Sequence, residues 1–148
     1  MKIRSNECGF TLTEILVSVS LIAIAGVILV PLYQSFEQKN QLDLVTLSLA
    51  QNFRRSQILA QSVSGDSSWG VKIGTTTATI FKGSSFITRD PSFDETYEFS
   101  PTITATGTSE IIFSKLYGLP QPTGTLTLTN SNLDSRNLLI GEKGTITF

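Results

Sequence analysis

The sequence has no histidine and a single cysteine, Cys8. Without histidine there is no imidazole general base, no His-containing triad and none of the common His-ligated zinc sites. One cysteine closes no internal disulfide and builds no cysteine cluster. Charge is also scarce, at 16% of residues, where about 25% is usual for soluble domains. The formal net charge is -1, so no global basic field draws in nucleic acid. The usual catalytic kits are missing. We therefore expect no enzymatic activity, no catalytic residue, no cofactor and no metal.

The missing charge is concentrated in one place. Residues 15–33 read ILVSVSLIAIAGVILVPLY, and no charged side chain stands between Glu14 and Glu37. As a helix, the segment from Ile15 to Tyr33 is about 28 Å long at about 1.5 Å per residue, close to the hydrocarbon thickness of a bilayer. Lys2 and Arg4 precede it, and cations there favour keeping the leading segment cytoplasmic.

Three readings compete for this segment. Ala23-Ile24-Ala25 supplies the small-x-small pattern of a secretory signal. The apolar run nevertheless continues through Gly26-Val27-Ile28-Leu29-Val30, where a cleaved signal turns polar. A plain membrane anchor explains the length but leaves Glu14 unexplained, since a carboxylate near a membrane segment is costly. Cys8 does not make a lipobox, because the preceding Ser5-Asn6-Glu7 is polar. The third reading takes Gly9-Phe10-Thr11-Leu12-Thr13-Glu14 as a signal in its own right.

That junction resembles the class III signal of type IV pilins and pseudopilins. The resemblance implies a short basic leader ending in Gly9, cut between Gly9 and Phe10 by an inner-membrane prepilin peptidase, and N-methylation of Phe10. Glu14 then falls at the fifth mature position, where the family's Glu pairs with the N-terminal amine of a neighbouring subunit during assembly. Pro31 falls where many pilins carry a helix-breaking proline, which implies a stretch able to lose helical order in the filament. Thr13 replaces the usual apolar residue. Glycine before the cut also leaves room for a protease to approach the backbone.

Beyond Tyr33 the pattern becomes amphipathic. Leu42, Val45, Leu49 and Phe53 recur at helical spacing, with Leu44, Leu47, Ile58 and Leu59 widening the stripe. No proline or glycine interrupts residues 32–64. One helix over residues 11–62 is expected, its second half packed on a head. Arg54 and Arg55 read as a solvated helix face more simply than as an anion contact. Residues 65–68, GDSS, are expected to stop the helix.

From Trp69 onward, short strand-like runs alternate with turn residues. Strands are expected over residues 69–73, 78–82, 85–88, 96–100, 102–106, 110–114, 125–129, 136–140 and 145–148. The run Thr125-Leu126-Thr127-Leu128-Thr129 puts Leu on one face and Thr on the other. Residues 141–144, GEKG, read as the turn of a last hairpin. The strands alone make a small core, so the helix must supply apolar cover. The expected fold is α+β: a long N-terminal membrane-spanning helix packed on a C-terminal antiparallel β-sheet or sandwich head. The expected organisation is a leader (1–9), a membrane and polymerisation helix (10–33), its amphipathic continuation (34–64) and a β-rich head (65–148).

The C-terminal half, with Phe113, Gly118, Gly124, Arg136 and the closing Gly144-Thr145-Ile146-Thr147-Phe148, is similar to the H-type minor pseudopilins (GspH/FimT). The DNA-uptake branch of that family carries a basic Gly-Arg-x-Arg run where this chain has Gly144-Thr145-Ile146-Thr147. DNA affinity depends on Lys and Arg contacts to phosphates, so DNA binding is disfavoured, with Arg136 and Lys143 as its remaining candidates. Asp90, Asp94 and Glu95 are expected in a loop, but they lack the ligand density of a calcium loop. Trp69 is expected in the core. Major pilins often close a C-terminal disulfide, which this chain cannot.

The resemblance implies a structural subunit of a type II secretion pseudopilus or a type IV pilus, held single-pass in the bacterial inner membrane with its head on the periplasmic side. Its partners would be other pilins or pseudopilins, the prepilin peptidase, inner-membrane lipid and the assembly platform. A DNA-capturing minor pilin and an unrelated membrane-anchored β protein stand as alternatives.

Overall fold

The computed structural model describes residues 9–148; Lys2, Arg4 and Cys8 of the expected leader lie outside the described residues. Helix α1 runs over Leu12–Gln61, with Pro31 inside it. A 3-10 turn, Ser64–Asp66, follows. Nine strands come next: β1 (Trp69–Ile73), β2 (Thr77–Lys82), β3 (Asp90–Glu98), β4 (Ile103–Gly107), β5 (Glu110–Phe113), β6 (Pro120–Gln121), β7 (Gly124–Asn130), β8 (Ser135–Ile140) and β9 (Ile146–Thr147). They form a five-stranded sheet, ordered β3-β2-β1-β5-β6, and a four-stranded sheet, ordered β4-β7-β8-β9. Every strand pairing is antiparallel. The chain divides between Phe36 and Glu37 into two compact units.

The second unit has one core. Leu42, Leu49, Ala50, Phe53 and Ala60 of α1 pack with Trp69, Val71, Ile80, Ile111 and Phe113 of the larger sheet and with Ile103, Leu126, Leu128, Leu138 and Ile140 of the smaller. The Leu126/Leu128 alternation holds, with both leucines buried. Trp69 is 4% exposed, and its indole N–H donates to the Ser64 carbonyl at 2.9 Å. The widening of the helical stripe does not hold for three residues: Leu44, Leu47 and Ile58 are exposed. The sheets cover only the narrower arc through Leu42, Leu49 and Phe53.

The helix stops at Gln61, ahead of the expected 65–68 segment. Val63 takes the left-handed conformation (φ 55°, ψ 32°), and its N–H donates to the Ala60 carbonyl at 3.2 Å. It occupies a position that helix ends usually give to glycine.

Two other expectations are corrected. Residues 85–88 form a loop, not a strand. Phe86 N–H donates to Glu110 Oε1 at 2.9 Å, and Arg89 Nη1 donates to the Phe86 carbonyl at 2.8 Å. Side chains thus satisfy the backbone groups that a ladder would have used. Asp90, Asp94 and Glu95 lie within β3 rather than in a loop, because the Phe86 loop folds over Phe81 with ring centroids 5.5 Å apart and delivers the chain early to the sheet edge.

Candidate functional site

Gly9 and Phe10 precede α1 and are both exposed, Phe10 at 83%. A Cβ built on Gly9 meets nothing within 4 Å. Among the described residues, nothing in the fold therefore requires glycine at position 9.

Thr11 and Glu14 start the helix. Thr11 N–H donates to Glu14 Oε2 at 3.0 Å, and Glu14 N–H donates to Thr11 Oγ1 at 3.3 Å. The Thr11 hydroxyl adds a third bond to Glu14 Oε2 at 2.9 Å. This is a reciprocal capping box, in which two helix-start donors are satisfied by two side chains. The sequence reading missed Thr11, although the T-x-x-E spacing carries that signal. Glu14 is thus fixed beside the junction with its carboxylate facing the chain start.

Further along α1 the helix continues unbroken through Pro31. A proline there offers no N–H to the carbonyl four residues earlier, that of Val27, which directly follows Gly26. A Cβ on Gly26 meets nothing within 4 Å. Ser35 Oγ donates to the Pro31 carbonyl at 3.1 Å. Gly9, Phe10 and Glu14 are gathered at the helix start, and Pro31 is separate from them. All of residues 9–37 are exposed in the isolated chain.

In the second unit, polar contacts fix α1 to both sheets. Gln38 Oε1 accepts from Ser131 Oγ at 3.2 Å, Lys39 Nζ lies 3.8 Å from Asp134 Oδ1, and Arg136 Nε donates to Asp43 Oδ1 at 2.8 Å. Arg55 Nη2 donates to Glu95 Oε1 at 2.7 Å, so this half of the Arg54-Arg55 pair is a tie to β3 and not merely solvated. Gln57 Nε2 donates to the Gly118 carbonyl at 3.1 Å. Gly118 (φ 63°) and Gly144 (φ 76°) are left-handed, and a Cβ would run into Gln61 at the first and into Gln57 at the second. Phe113 is fully buried. The tail residues that carried the resemblance therefore have structural duties, and Arg136 is occupied by Asp43.

Among the described residues no three His, Cys, Asp or Glu side chains gather as a metal site. Asp90 accepts two bonds from Ser92, which hold its carboxyl below the usual carboxylate range. Asp94 pairs with Arg89 at 2.7 Å.

Two comparisons bear on this arrangement. Residues 4–30 match the prokaryotic N-terminal methylation motif. The structure matches that of the minor pseudopilin EpsH from the type 2 secretion system of Vibrio cholerae, with a TM-score of 0.54. The fold is that of a pseudopilin. The match covers 72% of this chain and 94% of that one at 11% sequence identity, so the shared pseudopilin fold rests on architecture with little sequence in common. No curated protein sequence matches the chain. α1 is one helix long and apolar enough to cross a membrane, as the pseudopilin reading of the junction requires.

Proposed function

We propose that this chain is a structural minor pseudopilin subunit of the type II secretion kind, anchored in the inner membrane by the first part of α1 before assembly. The observation that carries the reading is the coincidence, in one chain, of the methylation motif over residues 4–30 with a pseudopilin fold. On this reading prepilin peptidase cuts between Gly9 and Phe10 and methylates the new Phe10 amine. The open space around Gly9 supports it, because a glycine that the fold does not need is one that a protease subsite can require.

Glu14 lies one helical turn from the mature amine and would pair with the amine of a neighbouring subunit. Pro31, with Gly26 nearby, marks the part of α1 that gives way in a filament. The chain divides by role into a leader (1–9), a membrane and polymerisation helix (10–33), a continuation carrying the head (34–64) and the head (65–148), which faces the periplasm. Its partners are other pseudopilins and the assembly platform.

Mass spectrometry of the mature N-terminus tests the reading. Methylated Phe10 is expected. A chain starting at Gly26 would identify a secretory signal, and an intact Met1 would identify a plain anchor; either result overturns the proposal. Co-purification with a secretion assembly rather than a pilus assembly tests the choice of machine.

A further inference from the structure

We propose that the tip of the β7–β8 hairpin, residues 131–134, rests on the lipid surface beside the α1 span, with Leu133 as the side chain that enters it. The inference rests on reading residues 10–33 as the membrane helix, whose charge-free run extends from Ile15 to Phe36.

The turn is built without help from Leu133. Asn130 is buried, and its Oδ1 accepts from the N–H groups of Asn132 at 3.0 Å and Asp134 at 2.9 Å. The Asn130 amide donates to Asp134 Oδ2 at 3.2 Å. Leu133 contributes only its N–H, to the Asn130 carbonyl at 3.0 Å. Its side chain is 84% exposed, and its backbone is left-handed, at φ 66°. Glycine or asparagine would take that conformation at lower cost. A large apolar side chain thus stands in water, at a strained position, with no role in the fold.

Its location supplies the occupant. Ser131 bonds Gln38, and Asp134 lies against Lys39. Gln38 stands two positions after Phe36, the last residue of the charge-free run, at most about 7 Å of chain even when fully extended. Whatever the course of the span, its end and the hairpin tip are tethered together. Tyr33, near the end of the charge-free run, is exposed, and tyrosine is a residue type that settles at a membrane–water interface.

Around the tip Lys39 pairs with Asp134 and Arg136 with Asp43, while Glu37 accepts from the Gln41 amide, so the neighbourhood carries no excess of positive charge. The contact is therefore apolar and indifferent to lipid charge. It would fix the head's approach to the bilayer before assembly, and it would be lost on extraction into a filament.

The test uses the full chain with Cys8→Ser and one new cysteine at a time: Val27→Cys in the span, Leu133→Cys at the tip and Leu116→Cys. Leu116 is also exposed and left-handed but adjoins Ala60 at the other end of α1's head-packed stretch. Each is labelled with a polarity-sensitive fluorophore and reconstituted in phosphatidylcholine vesicles, with and without phosphatidylglycerol. Labels at 27 and 133 should be quenched by lipid-borne nitroxides, that at 133 only by shallow ones, and the label at 116 should remain in water. Neither added salt nor phosphatidylglycerol should change the pattern.

A dry label at 27 with a wet label at 133 overturns this inference alone; a wet label at 27 overturns the span reading and the inference with it. Quenching at 133 only after a second pilin is added also overturns it, in favour of a protein partner. As a label-free check, amide exchange over residues 131–134 in vesicles should be several-fold slower for the natural chain than for Leu133→Asn, a change the left-handed turn accepts. Equal rates would sink the proposal.

Discussion

Tyr97 donates its hydroxyl to Glu95 Oε2 at 3.0 Å, while Arg55 reaches the other Glu95 oxygen from α1. Burial pushes the Tyr97 phenol above its ordinary value of 10.0, and the bond to the Glu95 carboxylate and that group's charge push it further up, against the opposing pull of Arg55. A raised folded pKa means that the native state holds the proton more tightly than the unfolded chain does. The stabilisation is fully present below pH 10.0 and is lost as pH rises through the higher folded value. Alkaline unfolding followed alongside phenolate absorbance should show this step. Tyr97→Phe, which keeps the ring, should remove it.

Ser56 is fully buried, and its Oγ has no hydrogen-bond partner among the described residues. A buried hydroxyl without a partner is destabilising, and alanine is the better helix former. Ser56→Ala should therefore raise stability by about 1 kcal/mol, measured by denaturant unfolding in detergent. Ser56→Thr should lower it, because an added methyl has no room in a packed core.

The left-handed Val63 gives a prediction at the helix end. A left-handed conformation costs an L-residue about 1–2 kcal/mol, and a branched Cβ is the hardest case. Val63→Gly should stabilise the protein by about 1 kcal/mol after the greater chain entropy of glycine is counted. Val63→Ala retains a Cβ and should bring no comparable gain. Thermal unfolding of the two variants distinguishes relief of strain from a change in packing.

Gly144 is the converse case. It is left-handed at φ 76°, and a Cβ there would run into Gln57 Nε2 while standing 3.2 Å from the Gly118 carbonyl. Gly144→Ala should cost about 2 kcal/mol, from backbone strain and displacement of Gln57 together. Shortening Gln57 in the same chain should recover part of that loss, and a double-mutant cycle would measure how much belongs to the clash.

Glu14→Ala should leave cleavage after Gly9 largely intact and block incorporation into filaments. Leader removal is read by N-terminal mass and incorporation by sedimentation of sheared filaments. Glu14→Gln retains an oxygen for the Thr11 cap but not the charge. If the charge is what assembly uses, Gln should fail as Ala does; if the cap is what matters, Gln should assemble.

Legibility from sequence differed by region for physical reasons. The helix was legible because Leu42, Leu49 and Phe53 keep a 3.6-residue period, and β7 because Leu126 and Leu128 keep a period of two. The junction was legible because Gly9, Phe10 and Glu14 stand at fixed spacing before an apolar run. The helix end fell within one residue of the expected Ser62, but the residue that turns the chain there was not legible, since nothing marks Val63 as left-handed and Gly65 was the more obvious stop. Nor was the 85–88 loop legible: Ser85-Phe86-Ile87-Thr88 has strand-like composition, and only Glu110 and Arg89, brought in by tertiary folding, keep it out of the sheet. The polar ties from Gln38, Asp43 and Arg55 join residues far apart in the chain, which no local pattern records.

The outer edge of the larger sheet belongs to β3, which carries Asp90, Asp94, Glu95 and Glu98 with Pro91 and no basic residue. Arg89 and Arg55 answer Asp94 and Glu95, but two heads approaching edge to edge would still set Asp90 and Glu98 against their copies and meet a residue with no N–H to donate. That edge is disfavoured for strand addition between copies. On the reading proposed above, a subunit that polymerises through its helix would thus be kept from joining its copies along this border.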